Sequence, residues 1–302
     1  MGTRIEGLQV IRVTDGDTLR VAMPDGTEES LRLACVDTEE SLPGRDNPDK
    51  PVTEAGKMAA AMAKGYFATP EGGLARVDIE FEVEGEVDLT SHRVRDNYGR
   101  LLCYVHKGGD NYNVRLVRGG WSPYFVKYGR SRPYHAELIG AEAAAQADNA
   151  VIWNPATNAG GASRPYERLI PWWEWRGGIV EEYRRLGAAS GILDVRLDYD
   201  RILAMMGTGQ RATILCDMQA GIQPWRGGGA LLYVGSVEHP FNLWIDDAES
   251  EPMAPLLRLL ETRYAGSGKR NYVYVSGEVE AYRGRPQIVL TSTGQLSDVP
   301  PG

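Results

Sequence analysis

The chain reads as a mainly β protein with helices, of the α+β class, in which the order strand, strand, strand, helix, strand, strand occurs twice. Three observations carry that reading. Alternating apolar runs divided by strong turn signals open the chain, a helical pattern interrupts the strands of each half, and a segment of linker composition, residues 154–164 (NPATNAGGASR), separates the halves. The 302 residues suffice for two domains of ordinary size. With 42% hydrophobic and 25% charged residues, packed cores are expected, and disorder, collagen and coiled coil are excluded. No stretch approaches the roughly 18 unbroken apolar residues of a membrane span, so no membrane partner is expected. The opening MGTRIEGLQVIRV lacks the basic, apolar, small-residue order of a signal peptide, which makes the expected location cytoplasmic, or secreted had a leader been removed.

In order, QVIRV, TLRVAM and SLRLACV alternate apolar and polar residues, and Asp15-Gly16 and Pro24-Asp25-Gly26 divide them, predicting a three-strand meander. Residues 41–52 (SLPGRDNPDKPV) have the composition of a mobile surface loop. Thr53 is an N-cap candidate for a helix whose Ala55, Met58, Ala59 and Met62 follow helical spacing. ARVDIEFEVEG and GRLLCYVH supply two more strands, the Glu-rich FEVEGEV with one solvated face, and helices follow near 112–119 and 134–149. This order is that of a five-stranded OB-type barrel with three helices. After the linker, a helical segment (YERLIPWWEWRGGIVEEYRRL) leads to strands at LDVRLDY, ATILCDM and ALLYVGSVE, then to a helix at PMAPLLRLLETRY. A hairpin, YVYVSGEVEAY to QIVLTS, closes this half, which resembles OB-fold nucleic-acid-binding domains. The expected organisation is therefore 1–153 as a first barrel domain, 154–164 as linker, and 165–302 as an OB-like domain with an N-terminal helix.

Several conspicuous residues have plain readings. Cys35, Cys103 and Cys216 stand singly in apolar runs and read as small core residues. His92, His106, His135 and His239 lack metal-ligand spacing. Trp153, Trp172, Trp173 and Trp175 cluster around the linker and read as an interdomain packing surface. The formal net charge of −8 argues against a permanent nucleic-acid clamp. It leaves room for an enzyme that binds locally and releases, with an acidic site holding a metal cation.

The residues that carry chemistry lie in the first half: Asp15-Gly16-Asp17-Thr18 at a hairpin, Arg32 inside the third strand, Asp37-Thr38-Glu39-Glu40 at its end, and Asn97-Tyr98-Gly99-Arg100 before the fifth. Each segment alone is an ordinary turn or strand end. Together, two carboxylates on neighbouring strands can converge on one hard cation, a third can orient a water, and two arginines can neutralise a phosphodiester.

The ordered set V-x-D-G-D-T, R-L-x-x-V-D-T-x-E, D-x-Y-G-R, N-x-x-L-V-R-x-G and a terminal Ile152-Trp153 resembles the staphylococcal nuclease family of calcium-dependent thermonucleases over residues 8–153. The resemblance implies an OB barrel with three helices and a nuclease that hydrolyses DNA and RNA to 3'-phosphate products. Single-stranded DNA, duplex DNA or RNA would be its substrate. It implies metal ligation by Asp17, Asp37 and the Thr38 carbonyl, with calcium as cofactor, a general base at Glu40, and phosphate-binding arginines at Arg32 and Arg100. Tyr98 and Tyr128 are implied as substrate-binding rings. The chain departs from the family pattern in three places: Glu39 replaces a proline, Asn97 a lysine, and Val126 a second tyrosine. The reading from another class is a catalytically silent module of the same fold that binds nucleic acid or protein. Residues 165–302 have no counterpart of this site, so structural support or partner binding is expected of them; oligomeric state is not legible.

Overall fold

The computed structural model describes residues 2–43, 49–83 and 85–301; residues 44–48 of the expected 41–52 loop and Glu84 of FEVEGEV lie outside them. Two compact units divide the chain, Met1–Thr90 with Arg100–Gly177 and Ser91–Gly99 with Gly178–Gly302. Among the described residues no helix is long and apolar enough to cross a membrane.

In the first unit, β1 (Thr3–Asp15), β2 (Thr18–Ala22) and β3 (Glu28–Leu33) form the antiparallel meander. The long β1 bends at register shifts near Val10 and Val13, so that its second half pairs with β2 and its first half with β4 (Arg76–Phe81). β4 pairs with β5 (Leu101–Lys107), and β5 returns to lie parallel to β3, with Leu31, Arg32 and Leu33 opposite Leu101, Leu102 and Cys103. That last pairing closes a five-stranded barrel, extended at β5 by the short β6 (Asp110–Asn111). Inward-facing Leu19, Val21, Leu31, Leu33, Val77, Ile79, Leu101, Cys103 and Val105 are buried, following the period-2 pattern of their strands. β4 ends at Phe81, short of the expected strand through FEVEGEV.

Three helices cover the barrel. α1 (Glu54–Phe67) begins at Thr53, whose Oγ1 accepts the Gly56 N–H at 3.0 Å, and it buries Ala55, Ala59, Ala60, Ala63 and Phe67. α2 (Tyr112–Arg118) is capped by Asn111 and buries Leu116 and Val117; α3 (His135–Ala147) buries Leu138, Ala141 and Ala145. Residues 154–164 and the first half of α4 (Tyr166–Ser190) belong to this unit, where Trp173 meets Phe125 edge-on at 4.9 Å and the Lys127 ammonium lies 5.1 Å from the Trp172 ring. These tryptophan contacts lie inside the first unit.

The second unit packs two sheets on one core. Five short strands run in the order β13 (Glu280–Tyr282), β14 (Arg285–Val289), β11 (Asn242–Ile245), β10 (Ala230–Tyr233), β9 (Ile222–Pro224). Four run β15 (Leu296–Ser297), β12 (Tyr272–Glu278), β8 (Arg211–Asp217), β7 (Leu193–Asp194). Ile214, Cys216, Leu232, Phe241, Leu243, Val273, Val275 and Ile288 fill the space between, joined by Ile202 of α5 (Tyr199–Met205) and Leu256 of α6 (Ala254–Leu259). LDVRLDY, expected as a strand, contributes only two strand residues. The Asp194 carboxylate accepts the Arg196 and Leu197 N–H groups at 2.9 Å, satisfying locally the donors that a strand partner would take, and the chain turns into α5.

Asn113 ties the first unit's helix layer to its barrel. It is fully buried; its Oδ1 accepts the Val105 N–H at 3.0 Å and its Nδ2 donates to the Ala34 carbonyl at 2.8 Å. Asn113→Ala leaves two buried backbone groups unpaired and should destabilise the fold by about 2–4 kcal/mol. A denaturant midpoint unchanged from wild type would refute that role.

Candidate active site

The 15–18 turn, the exit of β3 and the start of β5 reach one edge of the barrel because β3 pairs with β2 on one side and β5 on the other. Thr18 stands opposite Arg32, and Arg32 opposite Leu102. Cys35 adopts a left-handed φ of 60° as the chain leaves β3, an uncommon conformation for a non-glycine residue, held by the Phe125 N–H donating to its carbonyl at 2.9 Å. The Asp37 N–H then donates to the buried Ser122 Oγ at 2.8 Å. Two glycines let neighbouring elements close on this exit. A Cβ at Gly16 would fall 2.8 Å from Thr38 Cγ2, and one at Gly56 2.1 Å from the Glu40 carbonyl oxygen, so the β1–β2 turn and the first turn of α1 press directly on residues 38–40.

Asp37 is the electrostatic centre, with 1% of its surface exposed. Arg32 Nη2 and Lys50 Nζ reach its Oδ1 at 2.6 and 2.8 Å, and Arg164 Nη2 pairs with Oδ2. Burial alone would raise this carboxyl, but the charges of Arg164, Lys50 and Arg32 outweigh it and hold Asp37 well below the usual carboxylate range. The other end of the Arg32 fork, Nη1, pairs with Asp17 Oδ2, which also accepts the Thr38 N–H at 2.9 Å. Asp17 Oδ1 accepts the Thr18 hydroxyl at 3.1 Å, and Arg100 Nη1 donates to Thr18 Oγ1 at 3.5 Å. The Glu40 carboxylate, 36% exposed, lies 3.5 Å from Lys50 Nζ, while the Glu40 carbonyl accepts the Thr53 N–H at 3.2 Å.

The structure thus joins Asp17, Arg32, Asp37, Thr38, Glu40 and Arg100 through one set of contacts. The two tyrosines have other surroundings. Tyr98 is 73% exposed in the Ser91–Gly99 segment, which belongs to the second unit, and Tyr128 packs edge-on to Phe125 at 5.7 Å with Lys127 Nζ 5.0 Å from its ring. Lys50, Asn158 and Arg164 were not anticipated. Glu39 carried a signal that pointed to such partners, because a carboxylate in place of a proline needs hydrogen bonds if it is buried. Its Oε2 accepts from Thr53 Oγ1 and from Asn158 Nδ2, the latter at 3.1 Å. A lone arginine at the end of a Gly- and Ala-rich segment carries no comparable signal.

The donor set suits a hard cation in kind, since Asp17, Asp37 and the Thr38 carbonyl are all oxygen donors. Among the described residues no three His, Cys, Asp or Glu side chains gather to hold a metal alone, so the Thr38 carbonyl and water would have to complete its shell. An exposed carboxylate beside this cluster, with Arg100 at its rim, can accept a proton next to a bound anion.

Asp15, beside the cluster, is pushed up to about 6 by burial and by the negative charges of Asp17 and Glu40, against the Gly16 N–H that donates to its Oδ1 at 2.8 Å. A carboxyl raised in the folded state lends stability that is complete below its unfolded value of about 4 and is lost as pH rises to about 6. Asp15→Asn should therefore raise the melting temperature at pH 7.5 in chelator and leave it unchanged near pH 4; equal shifts at both values would exclude the charge as the cause.

Residues 30–155 match the model of the staphylococcal nuclease homologues. The chain is 35% identical to the thermonuclease of Staphylococcus intermedius over 117 residues, covering 39% of this chain and 58% of that protein. It is 32% identical to the thermonuclease of Staphylococcus hyicus over 112 residues, 37% of this chain and 55% of the relative. Endonuclease YhcR of Bacillus subtilis is 30% identical over 152 residues, 49% of this chain and 11% of the larger protein. The chain thus spans less than two thirds of the length of each of these relatives. Arg32, Asp37, Thr38, Glu40 and Arg100 fall inside the matched range, Asp17 before it and Arg164 beyond it. Over residues 30–155, then, the chain is similar to the staphylococcal nuclease homologues.

Proposed function

We propose that the first unit is a calcium-dependent nuclease that hydrolyses phosphodiester bonds of DNA and RNA and leaves 3'-phosphates. The observation that carries the reading is the convergence of Asp17, Arg32, Asp37, Glu40 and Arg100 at one barrel edge in a domain similar to this family. Asp17, Asp37 and the Thr38 carbonyl would hold calcium, whose charge polarises the phosphate and lowers the proton affinity of an attacking water. Glu40, the exposed carboxylate of the set, takes the proton from that water. Arg100 stabilises charge gathering on the phosphoryl oxygens, and its planar fork suits two such oxygens at once. Arg32 adds positive charge at the same edge while its fork ties Asp17 to Asp37. Tyr128, 43% exposed, is offered as a stacking surface for the nucleotide.

Digestion of single-stranded DNA, duplex DNA and RNA by the full chain, with calcium, magnesium or chelator, tests the reading. Calcium should support turnover and chelator abolish it. Glu40→Gln should lower turnover at least about a hundredfold, the scale of general-base loss, with little change in melting temperature, because its side chain is 36% exposed and the substitution keeps its shape. Arg100→Ala should act in the same direction through lost phosphate contacts. Comparable hydrolysis in chelator, or a Glu40→Gln variant as active as wild type, would leave a binding module of the same fold as the better description.

A further inference from the structure

Arg164 lies beyond the family-matched residues, yet it makes the deepest contact with the site. Its side chain is 3% exposed. Nη2 pairs with Asp37 Oδ2, Nη1 donates to the Asp37 carbonyl at 3.1 Å, and Nε donates to the Asp49 carbonyl at 3.2 Å. All three guanidinium nitrogens are therefore spent on the two ends of the loop that follows β3. The guanidinium carbon lies 5.0 Å from the Trp173 ring centroid and 5.7 Å from that of Tyr166. Trp173 in turn meets Phe125, whose N–H holds the Cys35 carbonyl, so the aromatic mount of Arg164 is anchored to the exit of β3 that carries Asp37.

We propose that Arg164 is a positioning residue of the nuclease site: by holding Asp37 Oδ2 and the Asp37 carbonyl it leaves Oδ1 as the oxygen facing Arg32, Lys50 and an incoming divalent cation. The inference rests on the reading of the site as a calcium-dependent nuclease. Outer partners of ligating carboxylates fix the orientation of the ligand, and their loss commonly costs about 10- to 100-fold in metal affinity. The geometry asks for arginine in particular. Three donors in one plane reach one carboxylate oxygen and two carbonyls, whereas a lysine supplies charge at a single point. On this account the segment from Asn158 to Trp173 is part of the catalytic unit.

The test measures calcium affinity of the full chain by titration calorimetry, alongside kcat and the calcium concentration for half-maximal hydrolysis. Arg164→Gln should weaken calcium binding about 10- to 100-fold and lower kcat. Arg164→Lys should recover folding stability through its charge but only part of the affinity, and it decides the matter if the Gln variant fails to fold. Arg168→Gln, which removes only an exposed ion pair with the Asp49 side chain, should leave both unchanged. Affinity in the Lys or folded Gln variant equal to or tighter than wild type, with the wild type active, would overturn the role of Arg164 alone. A wild type without calcium-stimulated hydrolysis would overturn the reading of the site and this inference with it.

Discussion

Taking the Asp37 carboxylate out of water costs several kcal/mol unless opposite charge and hydrogen bonds surround it. Most of the arrangement at the end of β3 follows from meeting that demand. Arg32 reaches it from within the strand, Lys50 from the loop, Arg164 from the segment before α4, and the Ser122 hydroxyl takes its backbone N–H. Each partner fixes a different piece of chain relative to one carboxylate. Several pieces of chain are tied together at the barrel edge because one buried charge has to be answered from several directions, and the left-handed Cys35 is tolerated because the elements that hold Asp37 over-determine it.

Much of the first unit was legible because its physics is local or repeated. Period-2 runs and the Asp-Gly turns define the meander, Thr53 caps the predicted helix, and the ordered motif points to Asp17, Arg32, Asp37, Glu40 and Arg100. What escaped depends on contacts between residues far apart in sequence. The Asn154–Arg164 composition reads as spacer, yet Asn158 meets Glu39 and Arg164 meets Asp37, more than a hundred positions away. No spacing rule expresses such pairs. In the second unit LDVRLDY was misleading because alternation alone cannot see that Asp194 satisfies the backbone by itself. The four-residue β11 and three-residue β9 are too short to show a period at all.

Glu39 shows how a departure from a family pattern can be accommodated. A proline stiffens a loop through its ring, whereas Glu39 is held through Thr53 and Asn158. Thr53 is also the cap of α1, so a single hydroxyl serves the helix start and the site loop together. Stiffness supplied by one residue's covalent geometry is thereby replaced by hydrogen bonds that depend on the rest of the unit being folded.

The parallel pairing of β3 with β5 has a consequence for the order in which the molecule is made. A chain emerging from its N-terminus presents Asp17, Arg32, Asp37 and Glu40 first, while Arg100 and Arg164 follow only after α1, β4 and, for Arg164, α2 and α3 have been synthesised. Parallel closure needs the whole crossover before it can form, and such long-range pairing is slow. Until then Asp37 lacks Arg164, and the Thr18 hydroxyl beside Asp17 lacks Arg100. A nascent chain therefore carries an unfinished site, and assembly of the cluster reports that the barrel has closed and that the segment ahead of α4 has returned to it.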